Sequence, residues 1–520
     1  MDLVIKLFML VVFFGVMLFV GFYSRRHATD VNGFVLGGRS VGPWLTAFAY
    51  GTSYFSAVVF VGYAGQFGWK YGISATWAGI ANAFLGSLLA WVVLGRRTRI
   101  MTQHLDSATM PQFFEKRFGS RSLKLVASAI IFIFLIPYTA SLYNGLSRLF
   151  YMAFDVDYSV CVIVMAVLTG IYVIAGGYMA TAINDFIQGI IMLFGIAAVV
   201  LAVLGSKGGF LAALDGMGRV TDPAYSTPGV FASFFGPDPV NLLGVMILTS
   251  LGTWGLPQMV QKFYAIRNEG AISKGTIIST FFAFVVAGGC YFLGGFGRLF
   301  ADRIELNAAG VPVSYDAVVP AMLSGLPTIL IAVVLVLVLS ASMSTLSSLV
   351  LTSSSTLTLD FLRGLGKKEM DEKRQLLVMR ALIVVFILIS AVIAIIQYRR
   401  NVTFIAQLMG VSWGALAGAF LAPFLYGLYW KRTTKAACWV SFLFSTVVMV
   451  LNIFVRGSFP AILQSPINAG AFCMIAGLVL VPLVSAFTRP PAFAEVERIF
   501  DCYERRVTVP MRDSIGEDGN

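Results

Sequence analysis

The chain has 520 residues, 58% of them hydrophobic and only 12% charged, with a mean hydropathy of +0.85. A soluble domain is nearer half apolar even with glycine counted, so this composition excludes one and implies a polytopic membrane protein. The net charge of +12 lies in loops between apolar segments rather than along one soluble face, which argues against nucleic acid as a partner and for a lipid bilayer.

Apolar segments of membrane-crossing length recur about thirteen times. With the N-terminus outside, about 27 of the 37 Lys and Arg fall in cytoplasmic loops and the C-terminal tail and about ten outside, as the positive-inside rule requires. The expected location is therefore the cell membrane, multi-pass, with a cytoplasmic C-terminus. Cysteines 161, 290, 438, 473 and 502 stand singly, so no disulfide framework or zinc site is indicated. Both histidines, His27 and His104, fall in cytoplasmic loops, which leaves none in the membrane to relay protons.

Span 1, residues 4–23, is longer than a signal-peptide apolar core and lacks a small-residue cleavage site, so it reads as a retained anchor. A basic inner loop with Arg25, Arg26 and Arg39 follows. Span 2, residues 43–69, exceeds the roughly 20 residues a bilayer needs and carries AYGTSYFSA at 49–57, with Gly51, Thr52, Ser53 and Ser56 at mid-membrane. Either a tilted straight helix with small-residue packing or an unwound turn that frees carbonyls fits this segment.

Span 3, residues 73–95, leads into the most basic loop, whose PQFFEKRF portion is expected to form a short interfacial helix. Span 4, 125–154, holds Pro137, Tyr138 and Asn144, which suit a cavity wall or mark a simple kink. Span 5, 158–181, ends in a segment containing Asp185. An acid near an inner membrane edge is expensive unless it faces water or a partner, so Asp185 is a functional candidate, with a solvated helix cap as the alternative. A Gly- and Pro-rich outer loop, 206–239, follows span 6.

Span 7, 240–266, contains GTWGLPQMVQKF. Pro257 removes a backbone donor and Gly252 and Gly255 weaken the helix, which is the strongest break signal in the chain. Spans 8 (275–300) and 9 (327–353) flank a second outer loop. Span 9 closes in LSASMSTLSSLVLTSSST at 339–356, and so dense a hydroxyl run in a membrane has two readings. Small residues permit close helix packing, and their hydroxyls bond back to carbonyls one turn earlier. Alternatively, Ser344 and Thr345 point oxygens at a hard cation such as sodium. Spans 10 to 13 follow at 376–398, 404–430, 437–455 and 468–488, and a short charged tail closes the chain.

The interrupted spans 2 and 7 lie five spans apart, the spacing of an inverted repeat, and weak segments at matching positions of two halves point to a substrate site. The expected division is an extra helix and cytoplasmic loop (1–41), a first five-helix repeat with its outer loop (42–239), an inverted second repeat (240–432), two extra helices (433–488) and a cytoplasmic tail (489–520).

Four blocks in order, FVLGGRSVG at 34–42, GGYMATAINDFIQ at 176–188, TWGLPQMVQKFYA at 253–265 and MSTLSSLVLTSSS at 343–355, resemble the sodium/solute symporter family, and its sodium/proline branch in particular. The resemblance implies an all-α membrane protein with a leucine-transporter-type five-plus-five inverted repeat, and sodium as transported coupling ion. It places the sodium ligands on the carbonyls of Thr52, Phe55 and Ala341 and the hydroxyls of Ser344 and Thr345, with Asp185 on the sodium exit path and Arg39 in a gating loop. Ser340, Ser342, Ser347 and Ser348 are left to packing. Proline-specific relatives carry an aspartate where this chain has Tyr54, so the substrate pocket expected at Tyr54, Phe55, Tyr138, Thr253, Trp254 and Gln258 suits either a proline-like amino acid or a monocarboxylate.

Sodium-coupled symport of a small organic solute is thus the expected function. A passive channel or facilitator is the alternative. A membrane enzyme finds no support in the sequence, because no HExxH, Ser/His/Asp or Cys/His arrangement lies at membrane depth.

Overall fold

A computed structural model describes residues 2–154, 156–363, 370–400 and 405–504, and all its regular elements are helical. Position 404, the expected start of span 11, and tail residues 505–520 lie outside the described residues. Ten described helices are long and apolar enough to cross a membrane, or eleven if the bent pair Pro239–Gly255 and Pro257–Ala265 is one span. The expected thirteen is not reproduced helix for helix. Val58–His104 and Tyr158–Gly205 run 47 and 48 residues; the first joins the second half of span 2 to span 3, and the second joins spans 5 and 6. About 20 residues suffice for one crossing.

The longer merged run is kinked at Gly177, whose φ of 54° and ψ of −143° are open only to glycine. A Cβ there would stand 2.8 Å from the Phe34 carbonyl oxygen, so Gly177 lets this helix press on the short helix Val31–Leu36. That helix is capped by Asp30, which accepts from the Gly33 amide at 2.6 Å. It ends in three successive left-handed residues, Gly37, Gly38 and Arg39.

Large apolar side chains such as Phe8, Val11, Phe194, Leu201, Ile277 and Phe487 are exposed, as a lipid-facing surface requires. Inside, span 9 (Thr328–Thr356) is buried almost throughout its second half and packs on Tyr158–Gly205, on Arg121–Phe154 and on the first half of span 2. The PQFFEKRF segment forms the helix Met110–Phe118, but its apolar face is covered by protein instead of lying in an interface. Phe113 packs at a tilt on Phe424, and Phe114 at a tilt on Phe420 and edge-on to Phe442.

Candidate functional site

Span 2 is broken. The helix Pro43–Tyr54 stops at Phe55, whose φ of −89° and ψ of 113° are extended, and helical structure resumes at Val58. Ser56 starts the second half, its Oγ accepting from the Val58 amide at 3.2 Å. The break takes the next-turn amides away from the carbonyls of Thr52 and Phe55, which must find other partners at this depth.

Those partners come from span 9. Ser344 Oγ lies 3.1 Å from the Thr52 carbonyl oxygen, 2.9 Å from that of Ser340 and 3.2 Å from that of Ala341. Thr345 Oγ1 lies 3.1 Å from Thr52 O, 3.1 Å from Ala341 O and 3.5 Å from Phe55 O. The bonds to Ser340 and Ala341 are the local back-bonds that packing alone predicts, whereas those to Thr52 and Phe55 cross between helices.

Each hydroxyl has one proton to donate, so two protons serve four carbonyls and lone pairs are in surplus at one buried point. A hard cation holds oxygens at roughly 2.3–2.6 Å, which sets ligands at right angles about 3.3–3.7 Å apart. The oxygens here need only a slight outward relaxation to reach that spacing. All five expected groups, on Thr52, Phe55, Ala341, Ser344 and Thr345, therefore come together, and they form a neutral oxygen cage.

The expected substrate pocket is brought together only in part. Tyr54 and Tyr138 both pack on Trp413, each with its ring centre 5.9 Å from that of the indole. Gln258 is buried with both amide atoms unpartnered among the described residues, as is the Tyr54 hydroxyl. Unmet polar groups at this depth are costly, which makes them candidates for a solute. Thr253 and Trp254 turn elsewhere. Thr253 Oγ1 donates to the Gly86 carbonyl at 2.8 Å and the Trp254 indole to the Leu85 carbonyl at 2.9 Å, both on span 3. Trp413 had no sequence signal beyond being an aromatic residue in an apolar span.

The break in span 7 falls where the glycines and Pro257 put it, at Leu256, with a bend of 45°. Its second half carries Lys262, the one charged residue of 240–265, which the sequence reading passed over although a charge in such a segment is itself a functional signal. Asp185 is fully buried inside a helix, not solvated at a cap, and lies 3.7 Å from Lys262 Nζ. Ser348 belongs with them instead of with the packing residues. Its Oγ lies 3.1 Å from Lys262 Nζ and 2.7 Å from Ser53 Oγ.

One end of the molecule is stitched shut. The Val41 amide donates to Ala265 and the Arg267 amide to Val41, joining the start of span 2 to the end of span 7. Arg39 donates to the carbonyls of Tyr264 at 3.2 Å and Ser107 at 2.7 Å. Burial pulls the Arg39 pKa below its ordinary value, with Tyr264 and Asp106 opposing the fall. The other end of span 2 borders a cavity of about 740 Å³, lined among others by Trp69, Lys70, Tyr71, Asp222, Asp238 and Arg298.

A family model described as the sodium:solute symporter family matches residues 34–444. The sodium/proline symporter of Staphylococcus aureus is 30% identical over 453 residues, which are 85% of this chain and 84% of that one. A Na+-coupled sialic acid symporter, solved in a substrate-bound outward-open state, is 16% identical with a TM-score of 0.71, covering 94% of this chain and 98% of its own. A manganese transporter of Eremococcus coleocola, in variant form, is 11% identical with a TM-score of 0.50, covering 91% and 96%. At such identities the structural likeness bears on the fold alone, which is of the leucine-transporter type.

Proposed function

Because the chain belongs to the sodium:solute symporter family, we propose that it is a secondary transporter that carries a small organic solute into the cell with sodium as its coupling ion, by alternating access. The observation that supports this most is the convergence of two span 9 hydroxyls on carbonyls freed by the span 2 break. Sodium in the cage orders the break and so preorganises the adjoining Tyr54, Tyr138 and Gln258. The coupling is reciprocal, so solute tightens sodium by the factor by which sodium tightens solute.

One sodium moving inward through 100 mV releases about 2.3 kcal/mol. A tenfold gradient adds about 1.4, for roughly 3.7 kcal/mol, or several hundredfold accumulation of a neutral solute. The stitched end bears Arg39 and is taken as cytoplasmic, and the end with the cavity as outer. Asp185 lies on the route from cage to cytoplasm.

The solute class is a proline-like amino acid or a monocarboxylate. The relative's substrate supports the first, and Tyr54, where proline-specific relatives have a carboxylate, removes a repulsion against the second. The test is uptake into proteoliposomes of solutes found by a sodium-dependent thermal-shift screen. Accumulation above equilibrium that needs a sodium gradient is expected. Equilibration without accumulation identifies a facilitator, and uptake driven as well by a pH gradient overturns sodium coupling.

A further inference from the structure

The cage uses Ser344 and Thr345 but leaves a second polar cluster one helical turn along span 9. Lys262 Nζ lies 3.1 Å from Ser348 Oγ, 3.7 Å from Asp185 Oδ2 and 5.1 Å from the centre of the Tyr178 ring. The lysine side chain is 3% exposed and the aspartate 0%. Among the described residues neither carboxylate oxygen of Asp185 accepts a hydrogen bond. The cluster is continuous with the cage along both helices, because Ser53 follows Thr52 and its Oγ meets Ser348 at 2.7 Å.

A carboxylate, a hydroxyl oxygen and an aromatic face around one buried point make the donor set of a monovalent cation. A lone buried carboxylate is untenable without a positive charge beside it. At 3.7 Å the ammonium supplies charge without a direct hydrogen bond, so the acceptor capacity of Asp185 is left open. A lysine here neutralises the aspartate while remaining tethered to span 7, and cannot leave with the cargo.

We propose that the Lys262 ammonium stands in for an ion at a second cation site formed by Asp185, Ser348 and Tyr178, so that this carrier binds a single sodium. The inference rests on the cage reading, since the single sodium it leaves is the one in the cage. Removing the side chain vacates a space beside an uncompensated carboxylate, and a second sodium fills it.

Equilibrium binding of radiosodium to the purified full-length protein tests this without knowledge of the solute. One sodium per chain with a Hill coefficient of one is expected for the wild type and two per chain for Lys262→Ala. Lys262→Ala combined with Asp185→Asn returns to one. Ser344→Ala with Thr345→Ala loses the wild-type ion, and adding Lys262→Ala to that pair restores one. Two sodium ions on the wild type overturn the proposal whether or not the lysine variant folds, and so does a monodisperse Lys262→Ala that gains none. If the Ser344→Ala, Thr345→Ala protein keeps its sodium while Lys262→Ala still gains one, the cage reading fails and the lysine reading stands.

Discussion

Two spans of this molecule are broken at mid-membrane, and only one break meets a partner helix that brings hydroxyls to its freed carbonyls. In span 2 the carbonyls freed around Phe55 face hydroxyls of span 9 that have more oxygen lone pairs around them than protons to share. In span 7 the side chains just before the bend at Leu256 are engaged, Thr253 and Trp254 both donating to span 3 carbonyls, and Gln258 just after it brings an amide with no partner among the described residues but no further oxygens from a facing helix. A break alone therefore supplies free carbonyls, and a cation site needs a partner helix that brings further unshared oxygens to them. Span 7 contributes its bend and, below it, a charge.

That contrast breaks first at the cage. Ser344→Ala with Thr345→Ala removes both hydroxyls of the proposed cage, each comparable to a hydrogen bond to a charged group at about 1.5–3 kcal/mol. Apparent sodium affinity is expected to fall by about 100-fold or more, read from the sodium dependence of uptake in proteoliposomes. Loosening the stitched end comes next. Arg39→Ala loses part-buried bonds to Tyr264 and Ser107, so a cysteine placed at Ser107 should be labelled several-fold faster by a maleimide applied to the purified protein, while sodium affinity is unchanged.

The span 7 break is expected to tolerate more. Trp254→Phe loses one indole bond, about 1 kcal/mol of stability, and lowers the thermal midpoint by a few degrees or less without moving sodium affinity. Smallest of all is Ser342→Ala. Its hydroxyl has no partner among the described residues, so the change should stay within about 0.5 kcal/mol in unfolding measurements.

Much of this was legible in the chain. Pro257 and its flanking glycines announce one break, and the hydroxyl run of span 9 together with AYGTSYFSA announces the other and its partner. The misplacements have physical causes. Thr253 and Trp254 were assigned to the pocket by nearness to the break, but which face of a bent helix they occupy depends on span 3, whose carbonyls take their protons. For Asp185 the alternative of a solvated cap stayed open because span 5 ends before it in the apolar pattern, whereas the helix continues through the Gly177 kink and carries it into the interior. Lys262 carried a signal, a lone charge in an apolar span, but its partners on two other spans are set by tertiary packing. Trp413 offered none, since aromatic residues are common in this chain.

The central claim, that the span 2 break and not the span 7 break holds the coupling ion, is tested most directly by thermal unfolding of the purified protein in sodium chloride against choline chloride. A ligand bound only by the folded state at 100 times its dissociation constant stabilises by about 2.7 kcal/mol. The wild type and Trp254→Phe should both be stabilised by sodium to the same extent, and Ser344→Ala with Thr345→Ala not at all. Equal stabilisation of the double variant and the wild type would contradict the account.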